Sequence, residues 1–221
     1  MNPIIAIEGI IGSGKTTLAN RLGKDLNMRV LTEPVNNEML EKFYAETSRY
    51  AFAMQMEMLA RRYNLQQLAA HEALNVDYNG VILDRSLQGD AVFCAIQNAC
   101  GNIPDLMYKT YCQFRDIMTL SLQPPTYFLY LDVDSEVALE RIKTRDRKQE
   151  NVHQTENDRE LTVDIKYLNI LREEYGKLIH ALTYNQHPWS RGVTVITVDW
   201  NGKKFSYNDI LLMFKTKLRV N

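Results

Sequence analysis

Apolar residues in this chain come in short unbroken blocks, separated by longer stretches with a helical period. Five blocks read as strands: Ile4–Ile7, Arg29–Glu33, Val81–Asp84, Thr126–Val133 and Val193–Val198. Several are apolar at consecutive positions instead of alternating, as expected of strands covered on both faces in a parallel sheet. Helical patterns lie between them, at Thr17–Leu26, about Arg49–Leu74, Ala91–Asn98, Leu106–Leu122, Ser135–Thr144 and about Val163–Leu182. A last helix starts near Ser206 or Asn208, and Pro124-Pro125 marks the entry to the fourth strand. Strand-then-helix alternation predicts an α/β fold with an open five-stranded parallel sheet and helices on both faces. No repeat, low-complexity tract or linker divides the chain, so one domain over residues 1–221 is expected.

Composition narrows the classes of function. The chain has 221 residues, 45% hydrophobic and 24% charged, which is ordinary for a globular protein with a sizeable core. A formal net charge of -1 lacks the basic excess that nucleic-acid or anionic-membrane binding needs. Cys94, Cys100 and Cys112 are odd in number with no CxxC spacing, which predicts reduced thiols in a cytosolic protein. His71, His153, His180 and His187 are scattered and form no metal-binding pattern. The first apolar run, Pro3 to Ile7, passes straight into a glycine loop, so no signal peptide is expected. No stretch reaches the roughly 18 apolar residues of a membrane span. A soluble, cytoplasmic protein with small-molecule partners, no nucleic acid and no membrane is the expectation.

The strongest chemical signal is Gly9-Ile-Ile-Gly-Ser-Gly-Lys-Thr16, which matches GxxxxGK[ST] in full. Glycines let backbone N–H groups turn inward around phosphate oxygens, and the following helix N-terminus adds a positive dipole end. Gly9, Gly12, Ser13, Gly14, Lys15, Thr16 and Thr17 are therefore expected to bind ATP, with Lys15 on the β/γ phosphates. The Thr16 hydroxyl is expected to ligate Mg2+. A chance glycine turn would have no reason to sit between a strand and a helix. The fold class becomes a P-loop NTPase-type sheet.

Two further motifs fall at strand ends. The second strand runs into Thr32-Glu33-Pro34-Val35 and the third into Asp84-Arg85-Ser86. Carboxyl ends of parallel strands share one edge, where ligands bind. Glu33 is placed there to act as general base on a hydroxyl, Asp84 to hold Mg2+, and Arg85 to offset phosphate charge. Any one alone could be a helix cap or an ion pair. The polar run Lys143–Arg159 is either a solvated loop or a mobile lid. Arg141, Arg145, Arg147 and Glu150 lie within it or beside it, and Arg141 and Arg145 share a helix face. Beside a P-loop they predict an arginine-rich lid, about 141–160, that closes over ATP.

These residues resemble the deoxynucleoside kinase family, and most of all its bacterial deoxyadenosine/deoxyguanosine kinase branch. The likeness runs from Ile5 to about Glu150. It is carried by Ile7-Glu-Gly-Ile-Ile-Gly-Ser-Gly-Lys-Thr-Thr17, Glu33-Pro-Val35, Arg49-Tyr-Ala-Phe-Ala-Met-Gln55, Asp84-Arg-Ser86 and Arg141-Ile-Lys-Thr-Arg-Asp-Arg147 with Glu150. The resemblance implies transfer of the ATP γ-phosphate to a deoxynucleoside 5′-hydroxyl, in nucleotide salvage. It implies that Glu33 takes the hydroxyl proton, with Arg85 beside it. Asp84 stands where many relatives carry Glu. Tyr44 and Glu150 match the pair that holds the 3′-hydroxyl, and Gln55 the amide on the base edge. Arg62 and Asp90 match relatives that accept cytosine or purines, so an amino-bearing base is expected over thymine. A homodimer is implied as well.

The chain also departs from the family pattern. Asn36 and Asn37 stand where an aromatic residue is common, and the base-stacking Phe aligns nearest to Cys94, with Phe93 one position early. The alternative is a nucleoside monophosphate kinase of the thymidylate kinase type. Such enzymes carry Arg before Glu-Pro, where this chain has Thr32, and an aromatic after Asp-Arg, where it has Ser86. A P-loop switch ATPase would give no reason for Tyr44, Gln55 and Glu150 to match a sugar site.

Overall fold

The computed structural model describes residues 1–32, 36–149, 163–202 and 204–219, with the backbone alone for 145–149 and 188. Its strands are β1 (Ile4–Gly9), β2 (Arg29–Thr32), β3 (Val81–Asp84), β4 (Tyr127–Asp132) and β5 (Thr194–Asp199). They form one five-stranded sheet in the order β2-β3-β1-β4-β5. All pairs are parallel, with Ile5 opposite both Ile82 and Tyr127. β1 and β3 are buried along their whole length, which explains their unbroken apolar blocks. β5 is an edge strand, and Thr194 and Thr197 face solvent there.

The helices are α1 (Lys15–Asp25), α2 (Asn37–Ala45), α3 (Thr47–Glu72), α4 (Leu87–Ala99), α5 (Asp105–Leu120), α6 (Ser135–Gln149), α7 (Ile165–Thr183) and α8 (Tyr207–Leu218). The main core joins the sheet to α1, α7 and α8 through Leu22, Leu171, Leu178 and Phe214. A second cluster, with Phe43, Ala51, Leu59, Leu87 and Tyr111, lies where α2, α3, α4 and α5 meet. Among the described residues no helix is long and apolar enough to cross a membrane.

Three differences from the expected elements have physical causes. The helix α2 was not foreseen, because only Phe43 in it is buried and the periodic signal is weak. Asn36 starts it by accepting a hydrogen bond from the Met39 N–H at 3.4 Å. Helix α4 begins at Leu87, not Ala91, because Ser86 caps it and the polar Gln88 and Asp90 are buried instead of exposed. Helix α6 continues past Thr144 to Gln149, so the charged run is helical that far. The rest of the expected lid, 150–160, lies outside the described residues.

Strand order decides where a ligand can sit. From β1 the chain crosses to the edge strand β2 and returns to β3 on one side, then passes to β4 and β5 on the other. Connections diverge at the carboxyl end of β1, leaving a crevice there.

Candidate active site

The glycine loop leaves β1 at this crevice. Gly12 and Gly14 take the positive φ values of 79° and 90°, which L side chains avoid. A Cβ on Gly12 would also lie 2.5 Å from the Ala138 carbonyl oxygen, so the loop packs directly on α6. Lys15 is buried, its Nζ donating to the carbonyls of Gly9 and Ile10, each at 2.9 Å, and to Ser13 Oγ at 3.3 Å. A cavity of about 660 Å³ opens beside it, lined by Gly12, Gly14, Lys15, Thr16, Thr17 and Thr32, and by Asp84, Arg85 and Arg141. Ser13 is fully buried beneath the loop.

Arg141 does more than face this cavity. Its guanidinium donates to the Ser13 carbonyl at 3.1 Å and to the Trp200 carbonyl at 2.8 Å. It braces the loop to the turn after β5, and burial holds its pKa below the usual arginine value. The expected partnership of Arg141 with Arg145 and Arg147 concerns side chains outside the described residues.

Across the crevice, the Thr16 hydroxyl donates to Asp84 Oδ2 at 2.5 Å. These two oxygens, on residues that line this cavity, suit a hard divalent cation. Arg85 has φ 76°, unusual for a residue with a side chain and costing about 1–3 kcal/mol. Its N–H donates to the Ile7 carbonyl at 3.2 Å, and its Nη1 donates to the Tyr175 hydroxyl at 3.2 Å. Its guanidinium lies 4.9 Å from the centre of the Phe93 ring.

Glu8 was quoted above only as part of a motif, yet it is a hub. Fully buried in β1, its carboxylate accepts from Ser86 N–H at 2.6 Å, Ser86 Oγ at 2.8 Å and the Tyr175 hydroxyl at 2.7 Å. Gly89 makes room for it, since a Cβ there would lie 2.1 Å from Glu8 Oε1. The signal was present in the sequence: one carboxylate inside an otherwise apolar, doubly covered strand, where a charge needs partners.

A second set of buried polar groups lies between α3 and α4. Arg62 Nη1 meets Asp90 Oδ1 at 2.5 Å, both side chains buried, and Asp90 Oδ2 accepts from the Tyr111 hydroxyl. Burial, reinforced by Asp90, pushes the Tyr111 phenol well above its ordinary pKa, so it stays a donor. Gln55 is buried on the same face of α3, and its Oε1 has no hydrogen-bond partner among the described residues. Phe93 links the two halves, with Arg62 5.5 Å from its ring centre and Arg85 on it as well. The position nearest the family's stacking residue, Cys94, turns instead into the second core cluster. Successive helical residues point about 100° apart, so Phe93 faces the site and Cys94 does not.

Tyr44 lies on α2, partly exposed, with its phenol pKa raised by burial. Tyr167 on α7 was not singled out from the sequence. Burial pushes its phenol up to about 12, with Arg85 acting in the opposite sense and Tyr44 adding to the rise. Glu33 and Glu150 lie outside the described residues, directly following Thr32 and Gln149.

With this geometry in hand, comparison with known proteins is specific. Residues 5–215 match the family model described as deoxynucleoside kinase. The chain is 34% identical over 198 residues to a deoxyadenosine kinase of Dictyostelium discoideum, covering 89% of this chain and 72% of that protein. It is 36% identical over 211 residues to a deoxyguanosine kinase of the same organism, covering 95% and 67%. Among solved structures, the deoxyadenosine kinase from M. mycoides with bound dATP superposes with TM-score 0.73 at 26% identity, covering 99% of this chain and 100% of that one.

Proposed function

The chain belongs to the deoxynucleoside kinase family and is a phosphotransferase with an alcohol acceptor; from that premise we propose that it moves the γ-phosphoryl group of ATP to the 5′-hydroxyl of a deoxynucleoside with an amino-bearing base. Deoxyadenosine, deoxyguanosine or deoxycytidine is favoured over thymidine, and the reaction serves nucleotide salvage. The observation that carries this reading is the buried Arg62–Asp90 pair at 2.5 Å, with Gln55 two turns earlier on α3, its Oε1 without a hydrogen-bond partner among the described residues. Such a set presents donors and acceptors together, and a base edge lacking the amino group would leave some of them unpaired.

In this mechanism the P-loop N–H groups and Lys15 hold the donor phosphates, and Arg141 keeps the loop in shape. Thr16 and Asp84 are the residues that fit Mg2+, and no cluster of three or more His, Cys, Asp or Glu gathers among the described residues. Nucleotide oxygens and water would complete that ion's shell. When bound, it supplies charge neutralisation on the phosphates. Glu33 removes the 5′-hydroxyl proton. Arg85 offsets charge on the transferring group, and the arginines of the lid, Arg145 and Arg147, join it on closure. Tyr44 and Glu150 hold the 3′-hydroxyl, and Phe93 lies under the base. Direct in-line transfer needs little more than this positioning and charge.

The protein works as a homodimer in this reading. On α5, Phe114, Ile117 and Leu120 are exposed on adjoining turns, with Leu106 exposed about two turns before them, an apolar surface that a second copy would cover.

One assay tests the proposal: ATP and Mg2+ with each of the four deoxynucleosides and the four deoxynucleoside monophosphates. Turnover of purine deoxynucleosides or deoxycytidine is expected, with thymidine weak. Phosphorylation of the monophosphates alone would overturn it. Glu33→Gln is expected to keep ATP binding and lose most turnover.

A further inference from the structure

We propose that Tyr175 and Glu8 form a buried clamp that positions the Arg85 guanidinium for phosphoryl transfer. The inference rests on the role given to Arg85 above and extends it to two residues that never meet substrate. Tyr175, 90 residues after Arg85 in the chain, reaches the carboxyl edge of the sheet from α7. Its hydroxyl accepts from Arg85 Nη1 at 3.2 Å and donates to Glu8 Oε2 at 2.7 Å. Both side chains are wholly buried, while Arg85 is only 15% exposed and borders the phosphate cavity.

Glu8 grips the same turn from below. Its other oxygen takes the Ser86 N–H and hydroxyl, and Ser86 Oγ in turn accepts from the Gly89 N–H at 3.1 Å. The residue after Arg85 is thus pinned to β1, and the side chain of Arg85 is pinned to α7. Arg85 itself sits at positive φ, a conformation that persists only where its surroundings over-determine it. Glu8 Oε2 lies 3.9 Å from Arg85 Nη1, so the phenol acts as the bridge between carboxylate and guanidinium. Helix α7 has a second tie near this contact. Three residues earlier, Arg172 pairs with Asp132 at 2.9 Å and Asp134 at 2.9 Å, fastening the same helix to the end of β4 and the start of α6.

A contact that served only stability would lower the melting temperature without acting through Arg85. The clamp instead predicts a dependence on that arginine. The experiment measures kcat, KM for both substrates and melting temperature in the full chain for wild type, Tyr175→Phe, Arg85→Ala and the double variant. ATP and the deoxynucleoside with the fastest turnover are the substrates. Tyr175→Phe is expected to lower kcat about tenfold or more, with both KM values within about threefold, because the lost hydrogen bond orients a group used in the transition state. In the Arg85→Ala background the same change is expected to lower kcat by less than about twofold. Unchanged kcat in Tyr175→Phe, or an equal loss in both backgrounds, would overturn the clamp. If Arg85→Ala alone retains full turnover, the role of Arg85 fails instead. Should Tyr175→Phe not fold, Glu8→Gln replaces it in the same cycle, and failure of both to fold would make the pair structural and end the proposal.

Discussion

Arg62 on α3 and Asp90 on α4 meet at 2.5 Å with side-chain exposures of 5% and 0%, a salt bridge entirely out of water. Two charges in such a place cost several kcal/mol each to desolvate, so a buried pair is weak support for stability on its own. The Arg62 guanidinium lies 5.5 Å from the centre of the Phe93 ring, and the pair carries the base preference proposed above.

Removing one partner should be far worse than removing both. Asp90→Ala removes the buried carboxylate that faces Arg62 and accepts from the Tyr111 hydroxyl, and is expected to destabilise the fold by about 3–5 kcal/mol. Replacing the pair together with the hydroxyl that bonds it, Arg62→Met, Asp90→Val and Tyr111→Phe, should recover most of that loss while eroding the preference for amino-bearing bases. Thermal melts and the ratio of kcat/KM for deoxyguanosine and thymidine check both halves.

At the corner proposed to hold Mg2+, Thr16 and Asp84 share a 2.5 Å hydrogen bond. Asp84→Asn keeps the shape but removes a charged oxygen, so the Mg2+ concentration for half-maximal rate should rise about tenfold or more. A magnesium titration of initial rates reads this directly. An unchanged midpoint would remove Asp84 from the metal site.

Gly89 faces Glu8 so closely that a Cβ would sit 2.1 Å from the carboxylate. Gly89→Ala is therefore expected to push the Glu8 side chain off Ser86 and cost about 1–3 kcal/mol by overpacking. Turnover should fall along with stability, because the Asp84-Arg85-Ser86 turn moves. Chemical denaturation combined with kcat measurement tests this.

Glu57 on α3 accepts from the Asn36 amide at 2.7 Å, tying α2 to α3, and also pairs with Arg61 at 2.5 Å. The Asn36 hydrogen bond and then Arg61 hold its pKa below the ordinary 4.5. A depressed carboxylate adds stability above the unfolded-state pKa and loses it as pH falls through the folded one. Glu57→Gln is thus expected to lower the melting temperature at pH 7, and the difference from wild type should shrink below about pH 4.5. Melts across pH 3 to 8 would show it; a constant difference would assign the effect to packing.

Much of the architecture was legible because the interior of a parallel sheet writes itself as unbroken apolar blocks. Ile4–Ile7 and Val81–Asp84 were found that way, and both are buried throughout. The segment Asn37–Ala45 was not, since a short helix that buries only Phe43 leaves almost no periodic trace. Phe93 and Cys94 show the same limit within a site: their order in sequence is plain, but which of them faces the crevice depends on the rotation of α4.

By itself, the sequence determined the glycine loop after β1, the Asp84-Arg85 strand end beside it and the family to which the chain belongs, because these depend on residue types at short spacings along the chain. Only the tertiary structure decided that Glu8 and Tyr175, separated by 167 positions, share a hydrogen bond under Arg85. It likewise decided that Arg141 braces the loop through carbonyl oxygens. Such contacts form where helices pack on the sheet, and no local pattern encodes which distant side chains that packing brings together.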